Sequence, residues 1–76
     1  MSKFISNLKE YRTAAKMTQE QLAAIVNVRR ETIVRLESAK YNPSLRFAVN
    51  VSRAVNAPLE DIFIFEEVEE LEEATV

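Results

Sequence analysis

Thr18-Gln-Glu-Gln-Leu-Ala-Ala-Ile-Val-Asn-Val-Arg-Arg-Glu-Thr-Ile-Val-Arg-Leu-Glu37 is the stretch on which the fold turns. Thr18 followed three residues later by Gln21 is the sequence of a capping box, which opens a helix by satisfying two of its free N–H groups reciprocally. Leu22, Ala23 and Val26 then fall on one inner face. The helix is expected to stop at Val26, because Asn27 is the best residue after glycine for a left-handed turn. A second helix over about residues 30–37 places Ile33 and Leu36 inward, with Arg30, Glu31, Val34, Arg35 and Ser38 outward. Two short helices meeting at a tight turn form a rigid corner.

On the N-terminal side, Phe4, Ile5, Leu8, Tyr11 and Ala15 recur at helical spacing, predicting a helix over about residues 7–15 with an Asn7/Glu10 capping box. On the C-terminal side, Lys40-Tyr-Asn-Pro-Ser44 reads as a loop, since Pro43 disfavours helix at Asn42 and Ser44 can cap a new helix. That helix covers about residues 44–55, with Leu45, Ala48, Val51, Ser52 and Val55 toward the core. Pro58 suits the first turn of a fifth helix, held down by Leu59, Ile62 and Phe63. The chain has no glycine, and Lys16, Asn27, Ala39 and Asn56 stand where glycine is expected. The asparagines are tolerable substitutes; Lys16 and Ala39 must accept strain or use turns of negative φ.

Seventy-six residues make one domain. With no cysteine and no histidine, disulfides and the usual zinc ligands are excluded, which leaves helix packing and a partner subunit as sources of stability. The lack of cysteine fits a reducing cytoplasm, and no apolar run is long enough for a signal peptide or a membrane span. Charge is segregated. Residues 1–63 hold all ten Lys and Arg against six acids, a balance of +4, whereas residues 64–76 hold six glutamates and no base. The overall charge of −2 therefore conceals a body suited to polyanions and an acidic end. An enzyme is a poor reading, without His or Cys nucleophiles, a glycine-rich phosphate loop or acids clustered on a concave surface. No cofactor is implied.

At Met17-Thr-Gln-Glu-Gln-Leu-Ala23, Val28-Arg-Arg-Glu-Thr-Ile-Val-Arg-Leu-Glu37, Lys40-Tyr-Asn-Pro-Ser-Leu45 and Ala57-Pro-Leu-Glu-Asp-Ile-Phe63, the chain resembles the Cro/repressor-type helix-turn-helix (XRE) family over about residues 6–64. It looks most similar to the short, stand-alone dimeric repressors. The resemblance implies an all-α fold, a compact five-helix, lambda-repressor-like DNA-binding domain, with a short two-stranded sheet from the chain ends as an addition. It also implies a transcriptional repressor that binds a palindromic operator in double-stranded DNA as a homodimer. Helix-turn-helix geometry supports this independently, since the second helix can enter the major groove while the first crosses the backbone.

Arg30, Glu31 and Arg35 occupy the positions where members of that family usually read bases. Arginine can take guanine bidentately, and glutamate can accept from the cytosine amino group; Glu31 and Arg35 are also spaced to bridge each other. Thr32 offers a hydroxyl or a methyl group, and Val34 either meets a thymine methyl or packs at the groove's edge. Backbone contacts are expected from Gln19 beside free helix N–H groups, from Arg29, and from Ser38, Lys40, Tyr41 and Asn42. Arg29 stands where the family more often has a Ser or Thr cap, giving up about 1 kcal/mol of capping for a cation near the phosphates. The resemblance makes Arg12 and Glu37 a structural ion pair.

The expected organisation is a DNA-binding domain over residues 1–65, with the helix-turn-helix at about 18–37, and an acidic tail over residues 66–76. Phe63, Ile64, Phe65, Val68 and Leu71 are the dimerisation candidates. Residues 63–69 can form a strand against Lys3-Phe-Ile5, as the resemblance implies. Alternatively Ile64, Val68 and Leu71, at i, i+4 and i+7, offer an amphipathic helix to a protein partner. The final residues read as disordered, and six glutamates belong away from the DNA.

Overall fold

The computed structural model describes residues 4–65. In chain order it contains β1 (Phe4–Ser6), α1 (Leu8–Ala14), α2 (Gln19–Ile25), α3 (Arg30–Glu37), α4 (Leu45–Val55), α5 (Leu59–Ile62) and β2 (Phe63–Phe65). The five expected helices are present, but the fold is not strictly all-α: β1 and β2 pair antiparallel, Phe4 opposite Phe65, Ile5 opposite Ile64 and Ser6 opposite Phe63. Of the two readings of residues 63–65, the strand is the one adopted. The rest of the acidic segment, with Val68 and Leu71, lies outside the described residues.

Every helix gives at least one wholly buried side chain to a single core: Leu8, Leu22, Ile33 with Leu36, Val51, and Ile62. Burial of each such side chain stabilises the fold by about 1.5–3 kcal/mol before entropy is counted. The ribbon closes one end of this core, with Phe4 and Phe63 edge to face at a centroid distance of 5.7 Å.

Helices α1 to α4 all end in the same way. Lys16, Asn27, Ala39 and Asn56 have φ of 61°, 64°, 60° and 59°, all in the left-handed region. Around each, the residue after it donates its N–H five positions back: Met17 to Arg12, Val28 to Ala23, Lys40 to Arg35, and Ala57 to Ser52. These are Schellman closures, which normally use glycine at the left-handed position. Of the two options left to Lys16 and Ala39, the chain takes the strained one.

Helix starts agree with the sequence at two places and differ at a third. The Thr18/Gln21 capping box is complete, and the Ser44 hydroxyl accepts from the Phe47 N–H at 3.1 Å. Asn7, by contrast, makes no side-chain cap. Its N–H donates to the Ile62 carbonyl at 2.8 Å and its amide to the Asp61 carbonyl at 3.3 Å, so tertiary ties to the end of α5 displace the box expected with Glu10.

Two inward assignments also change. Leu45 is 72% exposed, because it is the first residue of α4 and lies a quarter-turn away from the Ala48–Val51–Val55 stripe. Phe4 and Ile5 belong to β1 and not to the periodicity of α1, so alternation sends Phe4 inward and Ile5 outward.

Candidate nucleic-acid interface

The corner between α2 and α3 is built by three features of the sequence. Asn27 reverses the chain, Val28 is tied back to Ala23 at 2.9 Å, and Ile33 and Leu36 fix the rotation of α3 by full burial. With that rotation set, Arg30, Glu31, Val34 and Arg35 are exposed on the outer side of α3. Glu31 and Arg35 do not bridge each other: the ion pair present among the described residues is Arg12–Glu37. Both side chains are therefore available to an external partner.

Arg29 is the N-cap of α3, with extended backbone and no side-chain capping bond. An orphan donor is thus left at the helix start while an exposed guanidinium stands beside it. After α3 the chain passes through Ala39 into an exposed stretch containing Lys40, Tyr41 and Asn42. The Ser38 hydroxyl turns back onto the Val34 and Arg35 carbonyls, at 3.0 and 3.3 Å, so its proton serves the helix end. Tyr41 meets the ring of Phe47 edge to face at 6.0 Å, which orients it. Arg29, Glu31, Thr32, Arg35 and Tyr41 line one open hollow beside α3.

Beneath this surface lies a polar cluster. Glu37, the last residue of α3, receives Arg12 Nε on Oε2 at 2.5 Å, and Arg12 Nη2 (3.5 Å) and Gln19 Nε2 (3.0 Å) on Oε1. Arg12 also donates to the Met17 carbonyl at 2.8 Å. One carboxylate therefore fastens α1, the start of α2 and the end of α3. The Arg12–Glu37 pair is the one the family resemblance implied; the attachment of Gln19 was not legible, since nothing in the local pattern marks a cross-helix hydrogen bond. Gln19 keeps one amide hydrogen and its own backbone N–H, in the first turn of α2, for an outside acceptor.

The expected dimerisation residues divide. Phe63 is buried in the chain's own core and is not available for a partner, a correction that comes from its inward position opposite Ser6. Ile64 and Phe65 are exposed, and the register adds Ile5, which faces the same side as Ile64. Strand alternation would have identified Ile5 once the pairing was known.

No helix among the described residues is long and apolar enough to cross a membrane. No group of three or more carboxylates among them is placed to hold a metal ion.

Comparison with known proteins agrees with this geometry. Residues 8–62 match the helix-turn-helix family. An HTH-type transcriptional regulator of Archaeoglobus fulgidus is 59% identical over 64 residues, covering 84% of this chain and 90% of the relative. Another, from Methanocaldococcus jannaschii, is 42% identical over 64 residues, covering 84% and 97%. Among solved structures, the restriction-modification controller protein C.AhdI from Aeromonas hydrophila superposes with a TM-score of 0.65 at 28% identity, covering 71% of this chain and 82% of that one. A putative DNA-binding protein from Bacteroides fragilis gives 0.72 at 25% identity, covering 79% and 97%.

Proposed function

This chain belongs to the helix-turn-helix family of XRE type and is a DNA-binding transcriptional regulator; from that premise we propose that it is a repressor acting as a homodimer on a palindromic operator. The observation that carries the reading is α3 itself. Two buried residues fix its rotation, and two arginines and an unpaired glutamate stand exposed on its outer side.

In this reading α3 lies in the major groove. Arg30 and Arg35 donate bidentately to guanine O6 and N7, and Glu31 accepts from a cytosine amino group. Arg29, Lys40, Tyr41 and Asn42 hold the backbone on either side, Ser38 supports the helix end, and Gln19 meets a phosphate beside the first N–H groups of α2. Two copies join through the ribbon, with Ile5 and Ile64 on its outer face and the exposed part of Phe65, whose ring lies beside Phe4 on the other face, at its edge. A two-fold dimer then places its reading helices in half-sites about one helical turn, ~34 Å, apart. A repressor needs no chemistry beyond occupancy of the promoter.

Selection of bound duplexes from a random library tests this reading. A palindromic consensus with half-sites one turn apart is expected; failure to enrich any sequence would overturn it.

A second role rests on the charge of residues 66–76, six glutamates adjoining the ribbon directly. We place this segment as a separate tail, away from the DNA, that can engage a protein partner as antitoxins do. Deleting residues 66–76 separates the roles: unchanged dimerisation and DNA binding leave the tail to a partner, whereas loss of the dimer makes it part of the subunit interface.

A further inference from the structure

The hollow beside α3 is walled by a row of side chains on one helix and a ring from the loop beyond it. Thr32 and Arg35, three positions apart, form a row on α3, and Arg29, its extended N-cap, lines the same hollow before them. Tyr41 faces that row across the hollow, and Glu31 completes the lining. The Tyr41 ring is oriented by Phe47, itself packed against the core, so this wall is set before any ligand arrives.

The lining of the hollow is mixed, with polar groups and apolar carbon in comparable share. A guanidinium reaching for a base edge or a phosphate leaves its methylene stem behind as the wall. Arg29 and Arg35 thus supply two aliphatic stems, Tyr41 a ring, and Thr32 a methyl on a β-branched side chain with few rotamers. The hollow opens beside Glu31 and Arg35, the residues proposed to read bases. The one apolar group that protrudes from base edges into the major groove is the C5-methyl of thymine, which threonine methyls and aromatic rings contact favourably.

We propose that this hollow is a thymine-methyl site, with Thr32 and Tyr41 as specificity-determining residues additional to Arg30, Glu31 and Arg35. The assignment rests on α3 lying in the major groove as proposed above. It predicts one preferred thymine in each half-site, next to the base pair read by Arg35. Polar groups at the rim keep their own tasks, and the methyl is recognised by shape and by the water it displaces.

Replacing thymine by uracil, one position at a time, in a duplex selected from the random library removes only the methyl group. At one position per half-site, affinity should fall about three- to fivefold, the effect of one buried methyl. Thr32→Ser keeps the hydroxyl and removes the side-chain methyl, so it should bind the thymine and uracil duplexes nearly alike, and Tyr41→Ala should do the same. Uracil tolerated at every position would overturn the proposal while leaving major-groove binding intact. So would a thymine preference abolished by Val34→Ala and untouched by Thr32→Ser. A Thr32→Ser loss equal on selected and random duplexes would instead place a phosphate in the hollow and also overturn it. If no duplex is selected at all, the repressor reading fails, and the thymine-methyl site fails with it.

Discussion

Arg12 and Glu37 lie twenty-five positions apart in the chain and meet through an Nε–Oε2 contact of 2.5 Å, with side chains only 10% and 8% exposed. This contact joins the first helix to the last residue of α3. It also leaves a carboxylate oxygen for Gln19. The position of α3 relative to α2 therefore depends on a buried charge being neutralised from a third element.

Removing one partner of such a pair is far more damaging than removing both. Arg12→Met should cost about 3–5 kcal/mol, because it leaves the Glu37 carboxylate buried and unpaired. The double replacement Arg12→Met with Glu37→Leu should recover most of that loss. Gln19→Ala, which spares the pair, should cost about 1.5–3 kcal/mol, the net worth of one hydrogen bond to a charged group. Urea denaturation of the wild type and these three variants measures all of the differences.

The glycine-free helix ends make a second set of predictions. Lys16 and Ala39 hold φ near 60°, a conformation that costs a residue with a Cβ about 1–2 kcal/mol. Lys16→Gly and Ala39→Gly should each raise stability by about 1 kcal/mol once the greater freedom of unfolded glycine is subtracted. For a domain of this size that is a melting shift of about 4–8 °C each. The two shifts should add, since the residues close different helices.

Arg29 should trade stability against DNA binding. Arg29→Ser restores a side-chain acceptor at the N-cap of α3 and should stabilise the protein by about 1 kcal/mol. The same change removes a cation proposed to lie near phosphate. The slope of log affinity against log salt should therefore flatten by about one unit, on selected and random duplexes alike. Denaturation and a salt titration should thus move in opposite directions.

The ribbon separates folding from association. Ile5 and Ile64 face each other on its outer side at 46% and 42% exposure, while Phe63 points into the core. Ile64→Lys should leave the monomer folded and shift the sedimenting species from dimer to monomer. Phe63→Ala should cost about 3–5 kcal/mol whatever the association state. A dimer that survives Ile64→Lys would move the proposed interface elsewhere.

Legibility in the sequence tracks the range of the interactions concerned. The Thr18 and Ser44 caps, the turn at Asn27 and the burial of Ile33 and Leu36 depend on neighbours within one or two turns, and all were legible. Asn7 misled because an equally good local partner, Glu10, lost to carbonyls of Asp61 and Ile62 more than fifty positions away. Ile5 and Leu45 misled for a simpler reason. Three residues at a chain end fit helical and strand periods equally well, and the first residue of a helix need not share the face its successors bury. Of the candidate site, the row on α3 could be read from spacing, but the hollow could not. Its second wall is Tyr41, which lies beyond the end of α3 and is aimed by a contact with Phe47.

The repressor reading and the thymine-methyl site both depend on α3 reading bases and not merely lying on charge. The most direct measurement is the affinity of Arg35→Ala for the selected duplex and for a random duplex at one fixed salt concentration. With base readout by Arg35, affinity for the selected duplex falls by about 1–3 kcal/mol. The random duplex loses only the share due to one fewer cation, so the ratio between the two narrows. An equal loss on both would contradict base readout by Arg35 and reduce α3 to an electrostatic contact.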